Sequence, residues 1–361
     1  MSAATIYDVA RLARVSPVTV SRVINGNTRV GALFRQRVVA AIAALKYQVN
    51  VAARSTRIGH LRIGLLFSHP GAAFMSDVLL GAMHQCSAQG ARLLLGQCGD
   101  LDSQRGAIAR LIADGADAIL VPPPLCELAS ALRELDGIGM QIVAVASAPP
   151  TAGISAVRID DYAGARAMMN HLFAAGHRDI AFVTGAPGHA PAQLRYQAYR
   201  DAMDAAGQEV RPGRVAEGSF TYRSGLAAAS QLLDRADRPS AVFACNDDMA
   251  AAVIAVAHGL DLRVPRDVAV CGFDDKPIAA ALWPGLTTIR QPINALTRAA
   301  VQLAIDAIGE PRRARQRVLP FTLVTRESTA GGAGGAGRDG ATLRRAQAGR
   351  TARHSGANPA I

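Results

Sequence analysis

The chain has 361 residues, half of them apolar and only 4% aromatic, so it can build two or more domains with cores of Ala, Val, Leu and Ile. Its net charge of +11 sits at the ends: residues 1–60 carry nine Lys/Arg against one acid, residues 330–361 five Arg against one acid, and the middle is nearly neutral. This excludes a uniformly basic protein and fits a DNA-binding head on a neutral body.

Five scattered cysteines without a C-x-x-C pair argue for a reducing compartment and against a disulfide framework. The stretch from Met1 to Asp8 has no basic region followed by an apolar run, so no signal peptide is expected. No apolar run approaches the ~20 residues of a membrane span. A cytoplasmic protein with no membrane partner is the expectation.

Thr5-Ile6-Tyr7-Asp8 has the spacing of a capping box, with Thr5 as the cap and Asp8 three residues on. The helix it opens, Ile6–Ala13, places Ile6, Val9, Ala10 and Ala13 inward. A short turn leads to Val15-Ser16-Pro17-Val18-Thr19-Val20-Ser21-Arg22-Val23-Ile24-Asn25-Gly26. Ser16 is a good N-cap, Pro17 suits the first helical position, and Asn25-Gly26 suits the closing turn. Val20, Val23 and Ile24 share one face, leaving Pro17, Val18, Ser21, Arg22 and Asn25 outward. Two short helices so connected read as a helix-turn-helix, whose second helix enters the major groove. A third helix over Leu33–Leu45 closes the core with Phe34, Val38, Ile42 and Leu45. A plain helical bundle explains the periodicity equally, but not the paired caps, the turn length and the charge.

Asp8-Val9-Ala10, the run from Val15 to Gly26, and Tyr47 before Ala52-Ala53-Arg54-Ser55 resemble the lactose-repressor/galactose-repressor family of bacterial transcription regulators. The resemblance covers residues 5 to about 329. It implies a helix-turn-helix domain at 1–47, a hinge at 48–60 and an effector-binding, dimerising body at 61–329. The hinge of this family inserts a Leu into the minor groove. Here Thr56 stands at that position, and Val49 replaces the usual Pro before Asn50. The DNA-facing set is then Thr5, Tyr7, Ser16, Pro17, Val18, Thr19, Ser21, Arg22, Asn25, Arg29, Ala53 and Thr56. Arg22 would read a guanine, Pro17 and Val18 would lie on bases, and Ser16, Thr19, Ser21 and Asn25 would mostly hold phosphates.

From Leu61 the pattern becomes short apolar strands alternating with Ala-rich helices. Strands are expected at Ile63–Phe67, Arg92–Leu95, Ala118–Val121, Ile142–Ala146, Val157–Asp160, Ile180–Thr184, Ala241–Asn246 and Val268–Asp274. Helices are expected at Phe74–Gln89, Ser103–Asp114, Leu125–Leu135, Tyr162–Ala175, Pro191–Ala206, Tyr222–Leu233, Met249–His258 and Pro292–Ile308. Such alternation means parallel sheets covered on both faces, and the length favours two subdomains. The resemblance implies a periplasmic-binding-protein-like α/β body with three crossings, near 158–161, 288–292 and 319–322. One subdomain would take 61–159 and 291–320, the other 160–290 and 321–329. The Gly/Ala/Arg-rich stretch 330–361 is expected to be disordered. It lacks the leucine heptads by which some members form tetramers, so a homodimer is expected.

Ligands of open α/β sheets bind at the carboxyl ends of strands, where Asp160, Asn246, Asp274 and Asp275 fall. Carboxylates, Arg and Asn there suit a polyol. By resemblance, Arg195 (in Arg-x-x-x-Tyr), Asn246 (in Asn-Asp-x-Met-Ala), Asp274 (in Gly-Phe-Asp-Asp) and Gln291 match effector contacts, and Asp160 matches less closely. Phe220 offers an aromatic face, and Phe74, with Met75, the mouth of the pocket. Each has a plainer reading: Asp160, Asp161, Asn246 and Asp247 as helix caps, Asp274 and Asp275 as turn caps beside Pro277, Phe220 as core. A sugar is the best effector class, with a nucleobase or other metabolite left open.

No H-E-x-x-H, no G-x-S-x-G and no His/Cys cluster marks an enzyme or a metal site, and no cofactor is expected. Gly332-x-Gly334-x-x-Gly337 follows an expected strand, Val318–Val324, but too little chain follows for a dinucleotide-binding unit. The sequence thus reads as an operator-binding repressor controlled by a small molecule. A solute-binding protein without a DNA role is the other reading that the body alone would allow.

Overall fold

The computed structural model describes residues 6–16, 19–20, 23, 31–45, 61–67, 73–98, 101–127, 140–148, 154–308 and 313–331. The chain divides into two units, Met1–His60 and Leu61–Ile361.

In the first unit, α1 (Ile6–Ala13) carries an Asp8–Arg11 ion pair on its outer face. Its inner face, Val9, Ala10 and Ala13, is buried. Ser16 caps the turn that follows: its Oγ accepts from Thr19 N at 3.1 Å, and its carbonyl accepts from Val20 N at 3.1 Å. Thr19, Val20 and Val23 are helical, and Val20 and Val23 join the core. Helix α2 (Ala32–Ala44) closes the core with Val38 and Ala41, flanked by half-buried Ile42 and Leu45. Phe34 does not: it is 45% exposed in the first turn of α2, and Ala41, one turn after Val38, fills the inward position instead.

The second unit is built on parallel sheets. Strands β1 (Arg62–Phe67), β2 (Arg92–Gln97), β3 (Ala118–Val121), β4 (Gln141–Val145), β5 (Ser155–Arg158) and β11 (Gln316–Val318) form one sheet, ordered β11-β5-β4-β3-β1-β2. All its pairings are parallel, with Ile63 beside Leu93 and Ala118. Strands β6 (Ile180–Val183), β7 (Val215–Ala216), β8 (Ala241–Ala244) and β9 (Ala269–Cys271) form a second parallel sheet, ordered β7-β6-β8-β9. The pair β10 (Thr288–Arg290) and β12 (Thr322–Val324) is antiparallel. Single bridges at Cys271–Thr287 and Asp274–Arg290 join it to the β9 side. Strands β3, β6 and β8 are buried along their whole length, as strands covered by helices on both faces must be.

The helices described in this unit are α3 (Ala73–Gln89), α4 (Leu101–Ala113), α5 (Asp161–Ala174), α6 (Ala190–Ala205), α7 (Tyr222–Leu233), α8 (Asp247–Gly259), α9 (Pro277–Ala281) and α10 (Ile293–Ala307). Helix α10 packs on α3 and on the six-stranded sheet. The chain therefore leaves that sheet after β5, returns to it after β10, and leaves again after β11. The expected strand Val318–Val324 is two strands in two sheets: Pro320, which cannot donate to a ladder, lies between β11 and β12. Of the expected helix Leu125–Leu135, Leu125–Glu127 is a single 3-10 turn, and the remainder lies outside the described residues. The stretch from Gly332 onward lies outside them too. The described chain ends on a 3-10 turn at Glu327–Thr329. There Ser328 Oγ accepts from Thr287 N at 2.8 Å and donates to Val270 O at 2.6 Å.

Candidate functional site

Beyond the carboxyl ends of β6, β8 and β9 the chain gathers charged side chains into a poorly hydrated place. Arg195, in the second turn of α6, is buried there. A buried guanidinium needs partners, and it has them. Nε and Nη2 donate to Asp161 Oδ1 at 2.9 and 2.8 Å, and Nη1 donates to Cys245 O at 2.6 Å. Its Cζ lies over the Phe273 ring, 3.7 Å from the ring centre, and Asp274 Oδ1 is 4.0 Å from Nη1. Among the described residues three of its five N–H groups find acceptors, leaving two.

Asp274 is reached by an unusual backbone, φ +115°, pinned where its N–H donates to Ile289 O at 2.8 Å. Its Oδ1 accepts from Gln291 Nε2 at 2.6 Å. Burial pushes the Asp274 carboxyl above the usual range, against the pull of Arg195, Lys276 and the Gln291 hydrogen bond. Asp161 is raised for the same first reason, with Arg195 opposing.

Asn246 caps α8, its Oδ1 accepting from Met249 N at 3.0 Å, and its Nδ2 donates to Phe220 O at 2.9 Å. Phe220 takes φ +62° and lays its ring against His189, with centroids 4.5 Å apart. Gly185 permits this: a Cβ there would lie 2.3 Å from the Phe220 ring. His189 caps α6, its Nδ1 accepting from Ala192 N at 3.2 Å, and burial pushes its pKa down to about 3, with Arg195 adding to the fall.

The geometry sorts the residues expected at the site. Asp274 meets both Arg195 and Gln291. Asn246 follows Cys245, whose carbonyl holds Arg195, and reaches Phe220. Phe74 joins from α3 through Lys276, whose Nζ is 5.1 Å from its ring centre. Asp160 stands aside: it is exposed and caps α5, accepting from Ala163 N at 2.9 Å. The carboxylate that meets Arg195 belongs to its neighbour Asp161.

Three more participants went unread in the sequence: His189, Phe273 and Lys276. Buried Asp247, read there only as a helix cap, is a fourth. Asp247 accepts from Lys276 N at 2.7 Å and from Thr288 Oγ1 at 2.6 Å. Lys276 had a signal: it is the single lysine between residues 61 and 361, where every other fixed cation is Arg.

On the head, Ser16 and Thr19 are described, with their hydroxyls 2.9 Å apart, and Tyr7 falls in α1. Thr5, Pro17, Val18, Ser21, Arg22, Asn25, Arg29, Ala53 and Thr56 lie outside the described residues. Among the described residues no helix is long and apolar enough to cross a membrane.

Two family descriptions match the chain: bacterial regulatory proteins of the lacI family over residues 5–50, and a periplasmic binding protein-like domain over residues 169–329. The ribose operon repressor of Escherichia coli (strain K12) is 34% identical over 320 residues, covering 87% of this chain and 96% of the relative. A solved structure of a transcriptional regulator CelR–cellobiose complex is 32% identical, with a TM-score of 0.69, covering 90% of this chain and 99% of that one. The lac repressor dimer bound to operator and the anti-inducer ONPF is 26% identical, also with a TM-score of 0.69, covering 91% and 99%.

Proposed function

We propose that this chain, which belongs to the lacI family of bacterial regulatory proteins, is a DNA-binding transcriptional repressor whose hold on its operator is set by a small molecule bound in the body. The observation that carries the DNA role is the Ser16-capped turn of helix packed on α1, within a 60-residue head that bears nine cations and one acid. Arg22 is the main base-reading donor, bidentate to guanine, with Pro17 and Val18 against neighbouring bases. Ser16, Thr19, Ser21 and Asn25 fix the register on phosphates.

The protein works in the cytoplasm as a homodimer on a near-palindromic operator. Strand β2 is an edge of the six-stranded sheet and exposes Leu95, and α3, which packs on it, exposes Leu80 and Met83. Apolar side chains so grouped support a subunit contact. The lac repressor structure named above is likewise a dimer on operator.

The effector is a sugar, held by Arg195, Asp274, Gln291 and Asn246, with Phe220 and Phe74 as apolar faces. Carboxylate acceptors, guanidinium hydrogens left over and an amide suit vicinal hydroxyls. A relative named for the ribose operon and a neighbour solved with cellobiose support the class. By opening or closing the body, the effector changes the spacing of the hinges at 48–60 and so couples the two sites.

The test selects operator sequences from random duplex DNA with the full chain. Enrichment of a near-palindrome, salt-dependent binding and its loss in Arg22→Ala, with the fold intact, are expected. Normal operator affinity in that variant sinks the assignment. Absence of DNA binding altogether favours a solute-binding protein. Thermal shift with a sugar panel tests the effector class, because a ligand of the folded state raises Tm.

A further inference from the structure

We infer that Lys276 and Asp77 form a clasp, conditional on charge, that ties the two sheet layers of the body together across the cleft. Lys276 follows β9 of the four-stranded sheet, and Asp77 lies in α3, which follows β1 of the six-stranded sheet. They are 199 residues apart in the chain, yet Lys276 Nζ donates to Asp77 Oδ2 at 2.9 Å. The ammonium is almost fully enclosed, with 5% of the lysine side chain exposed, while Asp77 is 43% exposed.

Both ends of the contact are held. Lys276 N donates to the buried Asp247 carboxylate at 2.7 Å, and Pro277 behind it keeps Lys276 extended, at φ −70° and ψ 161°. On the other side, Gly81 lets α3 settle onto α10 so closely that a Cβ would lie 2.7 Å from Asn294 O. Asp77 is one turn before Gly81, so its backbone cannot drift without moving the whole helix. The Lys276 ammonium also lies over the ring of Phe74, one turn before Asp77 on the same helix.

The asymmetry in exposure gives the clasp its condition. A buried ammonium is tolerated only while a carboxylate neutralises it, and breaking such a pair from one side costs far more than replacing both partners. Asp77 rehydrates readily if released; Lys276 does so only if the two sheet layers part. Asp274 and Asp248 also interact with the Lys276 charge, but both follow strands of its own sheet layer and gain nothing from closure. Closure therefore depends on the Asp77 charge as long as Lys276 is present, and loses that dependence when Lys276 is replaced by an apolar side chain of similar length. The clasp requires neither DNA nor effector, so it stands or falls apart from the reading above.

The test measures the distance between spin labels on the two sheet layers of the purified full chain, attached through Ala88→Cys on α3 and Gln231→Cys on α7 and diluted with unlabelled protein. Both positions are exposed, whereas the native cysteines are buried. Asp77→Asn is expected to shift the distribution to longer, broader distances, Asp77→Glu to leave it in place, and Asp77→Asn with Lys276→Met to return it to the parent value. An unchanged distribution in Asp77→Asn overturns the inference. So does a double variant that stays open, because Asp77 would then act other than by neutralising Lys276.

Discussion

Arg195 rests its guanidinium on Asp161, one residue beyond the exposed Asp160 that caps the same helix. The two donors that meet Asp161 Oδ1, at 2.9 and 2.8 Å, make this a buried pair, whereas the Asp160 carboxylate caps its own helix end. Asp161→Asn should therefore destabilise the body by about 3–5 kcal/mol, the usual cost of stranding a buried charge. Asp160→Ala should cost about 1 kcal/mol, the loss of a cap. Denaturant unfolding of the two variants measures both, and equal losses would show that Arg195 does not depend on Asp161.

That pair also shows where sequence reading stops. Alternating apolar runs and Ala-rich helices were legible because both faces of these sheets are covered, so Ala118–Val121 and Tyr222–Leu233 keep the bounds that their composition suggests. The strands before Asn246 and Asp274 end two or three residues early: Asn246 turns to cap α8, and past Cys271 the backbone leaves β8 and bridges instead toward β10. Two-residue β7 and three-residue β10 carry too little periodicity to see. Asp160-Asp161 offers two identical side chains. Only the direction in which α5 turns decides which of them faces α6. Lys276 looks like one more surface cation until β9 and α3 are brought together.

His189 should make the body sensitive to acid. The unfolded chain protonates this ring near pH 6.5, while in the fold burial and the nearby Arg195 hold it neutral down to about pH 3. Between those values the unfolded state binds the extra proton, so stability falls as pH falls, by at most about 1.4 kcal/mol per unit. His171 and His177 are lowered by burial too and add to the trend. His189→Asn keeps an acceptor suited to the cap of α6 and should flatten the difference between unfolding at pH 7 and at pH 5. A variant with the parent slope would show that His189 is not held neutral.

Gly225 sets how closely α7 lies on α8. A Cβ at this position would sit 2.7 Å from Met249 Cα and 2.8 Å from Ala252 Cβ, atoms that cannot swing away. Gly225→Ala should cost about 1–3 kcal/mol as an overpacked contact. Because Met249 N is the amide that Asn246 caps, the shift should also weaken binding of a stabilising sugar in thermal-shift titrations. Gly207, at φ +63° with open space around it, is a control in which Asn should be tolerated.

Thr56 is the departure most open to direct repair. The resemblance assigns this position to a Leu that wedges into the minor groove, and Thr carries less apolar surface and a hydroxyl to desolvate. If the wedge is what this protein lacks, Thr56→Leu restores an apolar group worth about 1.5–3 kcal/mol when buried. That corresponds to operator binding at least about tenfold tighter. The selected operator supplies the probe, and gel shifts at fixed salt supply the measurement, since affinities at different salt are not comparable. The gain should fall on the operator and not on unrelated DNA, because the wedge acts through the deformability of one central base step. An unchanged affinity would mean that discrimination rests with Pro17, Val18 and Arg22, whether or not a Leu stands at 56.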